Sequence, residues 1–267
     1  MAGRDAASRW ADELAAWAID PAILAAAPES PWGFPPALFA AGQQAGPTPL
    51  QERTATALTA GATLLDVGAG AGAASLDLVP AGGHLHAVDS QPSMLRALET
   101  DAARRGVTVT TYEGRWPDLA GEVPVCDVVV CAHVLYNVPD LAPFVTALTS
   151  HARGLVVVEL TGVHPLARLA PLWEAVHHQP RPSGPSVELA IEVLREGGLD
   201  PQVTEQVRPP LVRTGDLAEQ WVDFTRRQLC LGPERRAEVA ALLAAHPPAP
   251  RRVVALSWPG SAPSAVA

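Results

Sequence analysis

An apolar run that ends in a glycine-rich turn, Leu64-Leu65-Asp66-Val67-Gly68-Ala69-Gly70-Ala71-Gly72, is the part of the chain best suited to hold a nucleoside. Glycine lets the backbone take positive φ and approach a ligand closely, and a helix opening behind such a turn offers free N–H groups to an anion. The next apolar run, 84–88, is followed by Asp89, 21 residues after Gly68. A carboxylate there accepts hydrogen bonds from ribose hydroxyls. Gly68, Gly70 and Ala73 also satisfy the GxGxxA spacing of a dinucleotide site, but Asp66 would then face a pyrophosphate. A nucleoside with cationic groups, such as the ammonium and sulfonium of S-adenosyl-L-methionine, instead tolerates or uses that carboxylate. Farther along, His133, Tyr136 and Asn137 follow one apolar run, and Glu159, Thr161 and His164 close another. A histidine titrating near neutrality suits removal of a proton from an oxygen acceptor such as a phenol or a carboxylic acid. His133 is the first candidate for that base, Tyr136 the second, and Glu159 completes the set. The alternatives are that His133 bonds the backbone at a strand end and that Glu159 caps a helix or pairs with an Arg.

These groups need a frame that gathers strand ends. Apolar runs at 63–67, 84–88, 107–111, 125–131 and 154–160 alternate with helical segments such as 91–104 and 139–150. That alternation predicts an α/β fold with a doubly wound, mostly parallel sheet whose carboxyl edge carries the site. Ahead of it, Trp10, Leu14 and Trp17 lie at helical spacing over 8–18, the stretch 28–49 is proline-broken, and a short helix is expected over 50–60. Behind it come a loose segment over 164–185, a helix at 186–197, a strand at 202–208, helices near 215–230 and 233–245, and a last strand at 252–258. Residues 1–49 are therefore expected as an arm and 50–260 as the main domain, with an insertion at about 161–185 forming a small cap. Residues 261–267 are expected as a disordered tail. Trp10, Trp17, Trp32 and Phe34 of the arm, with Leu166, Leu169, Leu172 and Trp173 of the insertion, have the apolar surface either to close as a lid over an acceptor pocket or to form a permanent clasp that seals the core edge.

Three segments together resemble the class I S-adenosylmethionine-dependent methyltransferase family. They are LLDVGAGAG at 64–72, HAVDSQPSML at 86–95 and CDVVVCAHVLYNVPDL at 126–141; with the helix-and-glycine segment at 193–199, the similarity covers roughly 50–208. The resemblance implies a seven-stranded Rossmann-like sheet and S-adenosyl-L-methionine as cofactor. It implies that Gly68, Ala69 and Gly70 line the amino-acid portion of the cofactor, with Asp66 supporting the loop and reaching the ammonium through water. Asp89 would hold the ribose, and Ser90 and Gln91 would border the adenine. Gly114, Arg115 and Trp116 stand where many members have Gly-Asp, so Trp116 is either a stacking face in place of an acidic contact or a ring in ordinary packing beside Pro117, and Cys131 and Ala132 complete the lining. Members that methylate exocyclic amines of nucleobases often carry Asp/Asn-Pro-Pro-aromatic after the fourth strand. Here the residues are Cys131-Ala132-His133-Val134, which argues against that chemistry.

Composition narrows the alternatives. All 19 basic residues are Arg, so Schiff-base chemistry and a P-loop lysine are excluded. A net charge of −9 without an Arg-rich run disfavours nucleic-acid substrates and points to a small-molecule acceptor. Cys126, Cys131 and Cys230 form no CxxC pair, and His177 and His178 have no companion at metal-ligand spacing, so no metal is expected. With neither a signal-peptide pattern nor a stretch of roughly 20 apolar residues, the chain is expected in the cytoplasm, as a monomer or a homodimer. The rival readings are a nicotinamide-dependent oxidoreductase, a non-catalytic binder that keeps the fold, and an RNA methyltransferase.

Overall fold

The computed structural model describes residues 5–40 and 46–263. The described residues build a seven-stranded sheet in the order β3-β2-β1-β4-β5-β7-β6. Its strands are β1 (Thr63–Val67), β2 (His84–Asp89), β3 (Thr108–Glu113), β4 (Cys126–Ala132), β5 (Ala152–Thr161), β6 (Gln202–Arg208) and β7 (Arg251–Pro259). The pairs from β3 through to β5 are parallel, and β7 runs antiparallel to both β5 and β6. Arg251, the first residue of β7, and Arg208, the last of β6, are paired, so both stand at the carboxyl edge of the sheet.

Alternation along the strands divides the core between the two faces. Leu65, Val129, Cys131, Val156 and Val158 point to one face, with Trp10, Phe144 and Leu194; Leu64, Val128, Val130 and Val157 point to the other, with Leu50, Leu85 and Leu98. The covering helices are α1 (Ala6–Ala15), α3 (Pro49–Ala55), α4 (Pro92–Arg105), α5 (Leu141–His151) and α7 (Val187–Glu196). A third cluster lies apart from the sheet, where α2 (Pro21–Ala26), α6 (Ala170–His177), α8 (Asp216–Gln228) and α9 (Arg236–Ala245) meet around Leu169, Leu172, Trp173, Leu229, Leu231 and Val239. This helical cluster extends well beyond the insertion at 161–185, and the arm contributes Ile19, Ile23 and Ala27 to it. Among the described residues no helix is long and apolar enough to cross a membrane.

Four local expectations are corrected. The glycine turn opens no α-helix: only a 3-10 turn, Leu76–Leu78, intervenes before β2, because Gly68, Gly70 and Gly72 all take positive φ and Pro80, Gly82 and Gly83 come at once after it. The arm holds a helix beyond the one expected over 8–18. Asp20 caps an unexpected α2 by accepting from Ala22 N at 2.7 Å, with Pro21 preorganised at its first position. Nor does the arm stand outside the domain, since Trp10 is fully buried in its core. The tail begins later than expected: Ser261 N donates to Thr149 O at 2.9 Å and Ala262 N to Ala152 O at 3.0 Å. The rest of the expected tail, 264–267, lies outside the described residues, as do 1–4 and 41–45 of the arm.

Candidate functional site

The glycine turn is tied into the sheet by its own amides. Gly68 N and Ala69 N donate to Val88 O at 2.8 and 3.0 Å, and Gly70 N donates to Asp89 Oδ2 at 2.8 Å. Val134 occupies the space a Cβ on Gly68 would need, so only glycine lets the end of β4 pack against the turn. With these N–H groups engaged and no helix start behind them, the turn lacks the convergent donors that a pyrophosphate requires. The arm reaches it too, where Ala40 bridges to Gly72, and from α3 Gln51 Nε2 donates to Ala73 O at 3.2 Å.

Two carboxylates flank the turn. Asp89 is half-buried, and its Oδ1 accepts from Gln91 N at 2.8 Å. Each carboxylate oxygen retains a further lone pair for a ligand hydroxyl. Asp66 is 1% exposed, and its Oδ2 has no hydrogen-bond partner among the described residues. Burial pushes the Asp66 carboxyl up to about 7, with the neighbouring Ser75 hydroxyl opposing that shift and the charge of Asp89 adding to it. An orphaned buried carboxylate beside a turn with spent amides fits a ligand cation.

On the other side of β4, His133 takes positive φ, 60°, directly after the strand. A non-glycine residue in that region is uncommon, and such strain concentrates at ligand sites. Its N donates to Glu159 O at 2.7 Å, and its Nε2 lies 3.4 Å from Glu159 Oε1. Glu159 is buried, and its Oε2 accepts from Leu50 N at 3.0 Å in the first turn of α3, whose N-terminus favours the negative charge. The alternative foreseen for Glu159, capping a helix, is thus realised alongside its contact with His133. Burial lowers the pKa of His133 while Glu159 opposes the shift and the Arg251 cation adds to it.

The remaining expected residues divide. Ala132 and Gln91 are half-buried, while Ser90 and Arg115 are exposed, and all four flank the strand ends. Gly114 N donates to Asp89 O at 3.0 Å, which ties β3 to the same carboxyl edge. Three residues do not join the site. Trp116 is core: its Nε1 donates to Phe144 O at 3.3 Å and its ring meets His151 edge-on, so no face is left for adenine. Tyr136 lies beneath Trp10 at 5.5 Å between ring centroids and its hydroxyl donates to Thr161 O at 2.7 Å, while burial pushes that hydroxyl up out of range for proton transfer. Cys131 is fully buried, with its thiol pushed well above its ordinary value by that burial. His164 is likewise stacked under Trp17 at 4.2 Å. Sequence reasoning missed Ser75 and Arg251. An antiparallel last strand, had it been inferred, would have put Arg251 at the carboxyl edge.

Comparison with known proteins agrees with this architecture. Residues 65–154 match the model of a methyltransferase domain. The ubiquinone biosynthesis O-methyltransferase of Paraburkholderia phytofirmans is 33% identical over 117 residues, 43% of this chain and 50% of that protein. The chain thus spans about half the length of the curated relatives it matches. Among solved structures, a SAM-dependent methyltransferase from Thiobacillus denitrificans in complex with S-adenosyl-L-homocysteine superposes with a TM-score of 0.51 at 19% identity, covering 79% of this chain and 91% of the other. Magnesium protoporphyrin IX methyltransferase from Synechocystis PCC 6803 superposes at 0.50 and 16% identity, covering 79% and 80%. These two similarities concern the fold.

Proposed function

We propose that this chain, which belongs to the class I S-adenosylmethionine-dependent methyltransferase family, transfers a methyl group to an oxygen of a small molecule. The observation that carries the reading is Asp66, a buried carboxyl whose Oδ2 has no hydrogen-bond partner among the described residues, beside a turn whose Gly68, Ala69 and Gly70 amides are already bonded. The S-adenosyl-L-methionine held there would supply a methyl group made electrophilic by the sulfonium. Asp66 would meet the ammonium, directly or through water, and the pairing would draw its carboxyl back to the charged form. Gly68, Ala69 and Gly70 would present the backbone at close range. Asp89, held at both oxygens by backbone N–H groups, would take the ribose hydroxyls with its remaining lone pairs.

His133 is the proposed base. Neutral near physiological pH because burial disfavours its cation, it turns Nε2 to Glu159 and leaves Nδ1 to accept a hydroxyl proton. Glu159 orients the ring and balances the imidazolium that results, as a buried carboxylate does in other base–carboxylate pairs. Most of the rate would come from holding the acceptor oxygen in line, with the base adding its share. The net charge of −9 supports a small acceptor over a nucleic acid, and the three free, buried cysteines accord with a cytoplasmic setting. The test is incubation with S-adenosylmethionine labelled in its transferable methyl and a panel of phenols and carboxylic acids. Label on an acceptor oxygen with equivalent S-adenosylhomocysteine is the expected result. Label reaching only nitrogen, or none transferred, would contradict the reading.

A further inference from the structure

On the methyl-transfer reading above, we propose that the acceptor is a small organic anion whose carboxylate or phosphate group is held by Arg168 and Arg213 beside Trp221. Arg168 lies in the 3-10 turn Pro165–Leu169 after the carboxyl end of β5, and Arg213 lies in the loop after the carboxyl end of β6. Trp221 projects from α8, and both guanidinium carbons lie over its indole, at 4.3 Å for Arg168 and 3.9 Å for Arg213. Arg168 Nη2 also donates to Gln228 Oε1 at 2.8 Å, which fixes the fork on a second side.

Two features separate this pair from surface arginines. Neither forms an ion pair with a carboxylate among the described residues, whereas Arg226, Arg236 and Arg252 each do. The residues outside the described ones contain no Asp or Glu. Arg168 is moreover solvent-accessible and yet surrounded by protein: burial pulls its guanidinium down to about 9, and the Arg213 cation adds to the shift. Arg213 is pulled down in turn, to about 10, by burial and by the Arg251 cation, which also acts on His133. Positive charge is thus concentrated at the face of Trp221 in an acidic protein. An indole face compensates such crowding only in part. A planar or tetrahedral oxyanion compensates it fully and accepts both rigid forks.

The test is calorimetric titration of the S-adenosylhomocysteine-saturated protein with 4-hydroxybenzoate, phenyl phosphate and the neutral methyl 4-hydroxybenzoate. The expected result is that at least one anion binds tenfold or more tightly than the ester, and the tighter of the two identifies the oxyanion. Arg213→Gln and Arg168→Gln should each weaken that anion tenfold or more without changing affinity for S-adenosylhomocysteine; Arg213→Gln, which removes no hydrogen bond, covers the case in which Arg168→Gln does not fold. An ester that binds as tightly as the acid, no binding of either anion, or folded variants that bind like wild type would overturn the proposal. A wild-type protein that takes the anions through these arginines but never S-adenosylhomocysteine would overturn the methyl-transfer reading alone.

Discussion

The two sides of the carboxyl edge are built on opposite charges. At the glycine turn the buried and half-buried acids are Asp66 and Asp89; beyond β5, the guanidiniums of Arg168, Arg213 and Arg251 act on one another. His133 and Glu159 stand between the two. A cationic nucleoside suits the first side and an anionic partner the second, and the methyl group would cross at the boundary. The sides also differ in how they are held. The turn is fixed by main-chain hydrogen bonds to β2, while the far side is built of a cap packed from four separate stretches of chain.

The sharpest way to break this division is at its boundary. His133→Ala should lower turnover roughly 10²–10⁴-fold while S-adenosylhomocysteine affinity, measured by calorimetry, stays within a few-fold. An equal loss in both would place His133 on the cofactor side.

The arm tests how the far side is held. Trp10→Ala should cost about 3–5 kcal/mol in denaturant unfolding, the usual cost of emptying a buried aromatic site, because Trp10 is fully buried and its Nε1 donates to Val138 O at 2.8 Å. Trp32 is 53% exposed, and Trp32→Ala should stay within about 0.5 kcal/mol. Equal costs would mean that the whole arm is one body. The expected pattern makes the first helix a permanent part of the core, so only the later arm can act as a lid.

On the carboxylate side the pH dependence is specific. Because the Asp66 carboxyl is raised in the folded protein from 3.8 to about 7, its protonated form is favoured there. The stability it contributes is full below pH 3.8 and is lost as pH rises to about 7. Asp66→Asn should therefore match the wild-type apoprotein in acid and exceed it increasingly toward neutrality, by at most on the order of 4 kcal/mol. Parallel stability curves across that window would show that Asp66 is ionised throughout. Asp89→Ala should cost roughly 1.5–3 kcal/mol in cofactor affinity. An unchanged affinity in a folded variant would remove Asp89 from the site.

The first side was the more legible in the sequence, for a physical reason. Strands buried on both faces appear as continuous apolar runs, so β1 was located to the residue, and the end of a strand fixes where the residues just beyond it stand. His133 inherits its place from that rule, and Asp66 and Asp89 inherit theirs from lying in the last residues of β1 and β2. The absent helix after the turn was not legible, because GxGxxA describes turns of both kinds, and what decided between them was the Pro80-to-Gly83 stretch. Trp116 was misplaced because nothing local distinguishes a ring that stacks on a ligand from one that packs against α5. Arg168, Arg213 and Trp221 come from three separate elements, and no spacing along the chain announces that they meet.

The most direct measurement is calorimetric titration of the wild-type protein with S-adenosylhomocysteine, NAD(H) and NADP(H) in turn. Saturable binding of S-adenosylhomocysteine, weakened by Asp89→Ala, with no binding of either dinucleotide, is the result expected from a turn with engaged amides and an unpartnered carboxylate. Binding of a dinucleotide but not of S-adenosylhomocysteine would contradict it.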